Sequence, residues 1–223
     1  MKPGLEIFEC SIVAAASNHN PTILNPDFLK RNKIVPEEWE TKKVLCTEVI
    51  SQVVFQNGLV ITVEPKRIVF LENDPDRSTS PRLDEISIQY VKTLPHAAYT
   101  AVGVNFKGVV AFDHLDQARS WLLEKLVASG PWKEIGNGIQ GAGLTLVYEI
   151  RDAKLTLKVD PAELQRAGEP SSRPVVLFDG NFHRELPTGN HSLALSRIEA
   201  IMKDWKEDRK SFFEVVETIL PRR

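Results

Sequence analysis

The run Ser17-Asn18-His19-Asn20-Pro21 is the densest group of side chains able to do chemistry. It follows an apolar stretch that reads as a buried strand, so its amides, hydroxyl and imidazole would line a cleft at the end of a sheet. There His19 would act as acid, base or ligand, because an imidazole changes charge near neutral pH. The competing reading is conformational: Asn and Ser cap helices and turn chains as they leave a sheet. No second titratable group stands at a fixed spacing from His19, which favours capping over catalysis.

Asp113-His114-Leu115-Asp116 has the form of a D-H-x-D metal motif, but it sits where a strand meets a helix. Asp113 as N-cap and Asp116 in the first turn account for both carboxylates. A zinc site would want histidines at i and i+4 on one helix face, or ligands converging from separate strands. Asp179-Gly180-Asn181 reads first as a turn, with His183 on the strand after it and His191 near a helix start. Two histidines without a third ligand do not make a zinc site. The glycine-rich run from Gly136 to Gly143 is the nearest approach to a phosphate loop, yet no Gly-Lys-Ser/Thr follows and it leads into a strand. The sequence therefore points to no metal and no cofactor. Its candidate ligand-binding set is Ser17, Asn18, His19 and Asn20, with Asp113 and His114.

The elements that must position these groups follow from periodicity. Leu5 to Ala16 mixes β-branched, aromatic and small residues without a helical period, and reads as a strand. Asn25-Pro26-Asp27 starts a short helix, with Asn as cap, Pro at the first position and an acid in the first turn. Pro36-Glu37-Glu38-Trp39 repeats that signal for one more turn. From Val44 to Leu71 the pattern is strand, turn, strand, turn, strand. Asn57-Gly58 marks one hairpin and Pro65-Lys66 the other. Asn73 to Asp84 reads as a polar loop, and the stretch from there to Pro95 receives no element. Ala98 to Phe106 and Val109 to Phe112 read as a hairpin around Lys107-Gly108, and Leu115 to Ala128 as an amphipathic helix. A second hairpin is expected around Arg151-Asp152 and a loop over Pro161 to Pro174. Two strands then flank Asp179-Gly180-Asn181, and a helical region runs from Ser192 to Leu220 with a break or an exposed turn at Lys206 to Lys210.

Each half thus reads as antiparallel meander plus helix, and the expected fold is α+β. The halves cover 1–135 and 136–223 and share one core, because either alone buries little apolar surface. With 42% hydrophobic and 26% charged residues, the 223-residue chain has the composition of a globular protein. A net charge of −2 gives no general drive toward phosphate backbones. Glu6 and Glu9 interrupt the apolar start, against a secretory signal, and no eighteen-residue apolar run suggests a membrane span. Cys10 and Cys46 each lie in an apolar segment, where a buried free thiol is the usual state, and a reducing cytoplasm fits.

Gln52 to Leu71 with its core NGLVITVEPKRIVF, the segment Tyr99 to Phe106, and the ending VVLFDGNFHREL…SRIEAIMKDWKEDRKSFFEVVETIL together resemble a sporadically distributed bacterial family of uncharacterised α+β proteins. The resemblance implies a bacterial cytoplasmic accessory protein with no assigned active-site residues. A patchy distribution is compatible with a defence or toxin–antitoxin role. The leading expectation is a non-catalytic protein that self-associates or binds a protein partner through strand edges. The alternative is a ligand-binding or hydrolytic site near Asn18 and His19, and a weaker one is nucleic-acid binding on a saddle formed by the two halves.

Overall fold

Alternation of buried and exposed residues at period two dominates the chain, and it assembles into one sheet. The structure is a computed structural model that describes residues 4–73, 83–165 and 171–220. The strands are β1 (Glu6–Ala16), β2 (Thr41–Cys46), β3 (Ser51–Phe55), β4 (Leu59–Glu64), β5 (Arg67–Asn73), β6 (Tyr99–Ala111), β7 (Leu144–Ile150), β8 (Ala153–Leu164) and β9 (Arg173–Glu185). They form a nine-stranded sheet in the order β2-β3-β4-β5-β1-β6-β9-β8-β7, with every pairing antiparallel. The helices are α1 (Pro26–Arg31), α2 (Leu83–Thr93), α3 (Leu115–Lys125), α4 (His191–Lys203) and α5 (Trp205–Ile219).

The fold is α+β, and two similar halves share the sheet. Each half runs strand, helix, meander, helix: β1, α1, β2 to β5 and α2, then β6, α3, β7 to β9 and α4. The first strand of each half returns to pair with its last, and β1 and β6 pair with each other at the centre. One transverse row shows why the helices lie on one face. Val53, Ile61, Phe70, Ile12, Val104, Phe182 and Leu155 are successive cross-strand partners, and each is fully buried. Residues one step along face away from the helices: Val54, Val60, Leu71, Ser11, Asn105, Asn181 and Thr156. A side-chain ladder crosses the centre of that open face. Asn181 Nδ2 donates to Asn105 Oδ1, and Asn105 Nδ2 donates to Ser11 Oγ at 3.1 Å.

Several expectations are corrected. Lys107-Gly108 and Asp179-Gly180-Asn181 are not turns; they lie inside the single long strands β6 and β9. Both glycines are places of close approach rather than of reversal. A Cβ on Gly108 would sit 2.8 Å from Leu5 Cδ1, and one on Gly180 would sit 2.7 Å from the ring of Phe212 in α5. The stretch without an assigned element contains α2, whose Leu83, Ile86, Tyr90 and Val91 are buried at helical spacing. Of the loop expected over Asn73 to Asp84, the ends belong to β5 and α2, and 74–82 lie outside the described residues. β8 continues through Pro161 to Leu164, into the span read as a loop. Pro161 is tolerated because β7 ends opposite Val159, so the missing N–H has no β7 partner. The C-terminal helical region breaks earlier than expected, at Asp204. Pro36 to Trp39 is a turn, closed by a Trp39 N–H to Pro36 carbonyl bond of 3.3 Å.

One buried ion cluster ties the second half together. Asp208 of α5 and Arg184 of β9 are both buried, joined by two hydrogen bonds of 2.8 Å from the guanidinium to the two carboxylate oxygens. Arg184 Nε also reaches Asp152 at 2.9 Å. Arg151 pairs with Asp208 and Arg197 with Asp152, so the β7–β8 turn, β9, α4 and α5 meet at one electrostatic knot.

Candidate functional site

The four adjacent residues Ser17 to Asn20 follow the end of β1, and three of them, Asn18, His19 and Asn20, line one cavity. β1 ends at Ala16, and the chain then crosses the ends of its neighbours. Ser17 N–H donates to Ala98 carbonyl at 3.1 Å and His19 N–H to Pro65 carbonyl at 3.3 Å. Asn20 does the capping work expected of it, its Oδ1 accepting from the Thr22 N–H at 3.1 Å and the Thr22 hydroxyl at 2.8 Å. That cap starts a single 3-10 turn, Pro21–Ile23, and Asn25 then caps α1 through a 2.8 Å bond from the Phe28 N–H.

A cavity of about 230 Å³ opens here. Asn18, His19, Asn20 and Ile23 form one wall; Thr93, Leu94, Pro95, His96 and Ala97, leaving the C-terminus of α2, form the other. The volume corresponds to about eight waters' share of liquid. Thr93 is held by its hydroxyl bond to the Gln89 carbonyl at 2.8 Å, and Leu94 carbonyl accepts from the Tyr99 hydroxyl at 3.2 Å. His96 stands near-parallel to His191 of α4, with ring centroids 6.5 Å apart.

His19 is buried, 8% exposed, with its ring 5.9 Å from that of Tyr99 and 6.3 Å from that of Tyr90. Its Nε2 and the Tyr90 hydroxyl are both buried, and neither finds a hydrogen-bond partner among the described residues. Burial pushes the His19 pKa below its ordinary value, which keeps the ring neutral at neutral pH. Burial likewise pushes both tyrosine hydroxyls up, so neither ionises in the physiological range. Of these three, His19 alone lines the cavity, among Ile23, Leu94, Pro95 and Ala97.

Asp113 and His114 do not join this cavity. They follow the far end of β6, about 40 Å along the strand from Tyr99 at ~3.3 Å per residue. His114, not Asp113, is the N-cap of α3, and it makes no side-chain capping bond. Asp116 pairs with Arg119 at 3.3 Å. His183 binds Glu185 at 2.8 Å on the open face. No group of three or more His, Cys, Asp or Glu among the described residues could hold a metal ion.

The open face has a second depression of about 260 Å³, floored by Val13, Ala15, Ala101 and Gly103 and rimmed by Arg67, Asn105, Asn181 and His183. Its surroundings mix charge. Lys107 pairs with Glu9 at 2.8 Å and Arg67 with Glu64 at 2.8 Å, and Asp179 and Glu185 lie on the same face. Phosphates would meet carboxylates as often as cations there.

The two cysteines differ, against the expectation that both are buried. Cys10 is buried, and burial followed by the charge of Glu72 raises its pKa; Cys46 is exposed on β2. No helix among the described residues is long and apolar enough to cross a membrane. No protein-family model matches the chain, and no curated protein matches it significantly.

Proposed function

We propose that the protein binds a small neutral ligand in the cavity between the Asn18–Ile23 segment and the end of α2. The observation that carries this reading is the buried His19 Nε2, which finds no hydrogen-bond partner among the described residues, in a side chain that lines the cavity. A buried polar atom without a partner costs roughly 1–3 kcal/mol, and native proteins rarely leave one unexplained. The cavity is smaller than the ~300–1,000 Å³ of drug-sized sites. The ligand class that fits is a compact molecule with an apolar body and one or two hydrogen-bonding groups, such as a primary amide or a phenol. No Asp, Glu, Lys or Arg lines the cavity, so a strongly ionic ligand would go unmatched.

The test uses benzamide and phenol as probes, read by ligand-observed NMR and calorimetry, against the native protein and His19→Leu. Leu keeps the apolar packing and removes the orphan nitrogen. The expected result is loss of probe binding with stability unchanged or raised. A histidine that serves only the fold gives the reverse: no probe binding to the native protein, and a destabilised variant.

A further inference from the structure

The open face of the sheet changes character at its middle. On β3 to β5 its outward positions include the strand formers Val54, Val60, Val69 and Leu71. On β1, β6 and β9 they become Ala15, Ala101, Gly103, Asn105 and Asn181. Ala, Gly and Asn are depleted in strands, and a glycine inside one often marks close approach of a ligand or another backbone. Local choices that oppose the fold in its central strands are expected where the chain serves a function. These residues make the floor and one closed end of the 260 Å³ depression, which equals about nine waters' share of liquid.

One transverse row carries the charge. Arg67, Ala15, Ala101 and Glu185 are successive cross-strand partners, so a cation and an anion stand on opposite sides of two alanines. Three strand spacings of ~4.8 Å put their Cα atoms ~14 Å apart. Each charge is already oriented. Arg67 donates from Nε and Nη2 to Glu64 at 3.0 and 2.8 Å, which leaves Nη1 without a partner among the described residues. Glu185 Oε1 binds His183 Nε2 at 2.8 Å, which leaves Oε2 in the same condition. At the closed end Asn181 Nδ2 donates to Asn105, while Asn181 Oδ1 accepts no bond among the described residues.

We infer that this depression binds a free α-amino acid, its carboxylate toward Arg67, its ammonium toward Glu185 and its side chain over Gly103 toward Asn181. Charge-assisted hydrogen bonds of ~2.8 Å at each end fit within the span. Each wall also carries the other sign: Glu64 beside Arg67, and His183, a cation when protonated, beside Glu185. A ligand of one net sign therefore meets its like, whereas a zwitterion is matched at both ends. A side chain that ends in an amide would donate to Asn181 Oδ1, which makes glutamine the probe of choice. Water reaches both walls and screens the charges, so the expected Kd is on the order of 1 mM.

Ligand-observed NMR titration of the full chain with L-glutamine, to about 50 mM, tests the inference. Two capped probes run beside it: N-acetyl-L-glutamine, which lacks the ammonium, and L-glutamine methyl ester, which lacks the carboxylate. L-Glutamine is expected to bind, and each cap to weaken binding about tenfold. Arg67→Gln should weaken L-glutamine about tenfold and leave the ester unchanged; Glu185→Gln should weaken it equally and leave the N-acetyl compound unchanged. Ala101→Leu, which fills the floor, should abolish binding. Arg67 and Glu185 are exposed, so circular dichroism of those two variants should match the native spectrum. Failure of L-glutamine to bind overturns the inference, and so do caps without effect or binding that survives both charge removals. Phenol in excess separates this site from the cavity at His19: displacement of L-glutamine by phenol overturns the inference, and its absence supports a site of its own.

Discussion

Asp208→Asn is the sharpest probe of the electrostatic knot. The native carboxylate is 1% exposed and accepts two 2.8 Å bonds from Arg184, whose side chain is 4% exposed, with Arg151 as a further partner. The amide keeps the shape but removes the charge, leaving a buried guanidinium whose one remaining carboxylate, Asp152, is 44% exposed. Breaking a buried pair on one side costs about 3–5 kcal/mol, most of it the penalty of the stranded charge. For a chain of this size that corresponds to a fall in melting temperature on the order of 10 °C. Urea unfolding of the native protein and the variant, compared at equal m-value, measures it. The double replacement Arg184→Met/Asp208→Leu removes both desolvation costs and is expected to lie within about 1 kcal/mol of the native protein. A loss below about 1 kcal/mol for Asp208→Asn, or a double variant as unstable as the sum of the singles, would refute the reasoning.

Gly180→Ala should destabilise by about 1–3 kcal/mol, despite the better strand propensity of Ala, because its Cβ would press on the Phe212 ring at 2.7 Å; thermal unfolding checks it. Titration of the native protein with a thiol reagent should count one fast cysteine, Cys46, and a second, Cys10, only after unfolding. Asp152 feels partial burial pushing its pKa up, but the hydrogen bond from Arg184 and the charges of Arg184 and Arg197 outweigh it and hold the carboxyl below its ordinary value. Its contribution to stability is thus complete above about pH 4 and is lost as pH falls through the depressed folded value. Asp152→Asn should flatten that acid limb in pH-dependent urea unfolding, and an unchanged limb would count against it.

The strands were legible because a half-buried sheet imposes alternation, as in Leu59 to Glu64, and the α+β class followed from them. Gly108 and Gly180 carry turn chemistry in sequence, yet their lack of a side chain serves packing against Ile7 and Phe212, and no local signal separates the two uses. α2 was hidden because its Ile86, Ile88, Val91 and Thr93 are β-formers by propensity; the spacing Leu83, Ile86, Tyr90 and Leu94, closed by Pro95, was the available clue. Missing α2 hid half of the His19 cavity, so the sequence supplied Asn18, His19 and Asn20 but not Thr93 to Ala97. The exposure of β2 was beyond reach for a similar reason, since its Val44 and Leu45 look like any buried strand until the helices are placed.

The central position of β1 also sets a timetable for synthesis. β1 leaves the ribosome before the other strands described, and β5 can close one of its flanks once Asn73 has emerged. Its other flank belongs to β6, which is complete only at Ala111, 38 residues later. At ~5–20 residues per second the nascent chain spends roughly 2–8 s with a long, apolar strand edge open in what will become the middle of the molecule. Partners as distant as Glu6 and Arg173, 167 positions apart, meet later still. Slow, late closure of this kind is where a chaperone would act and where a stalled translation product would aggregate.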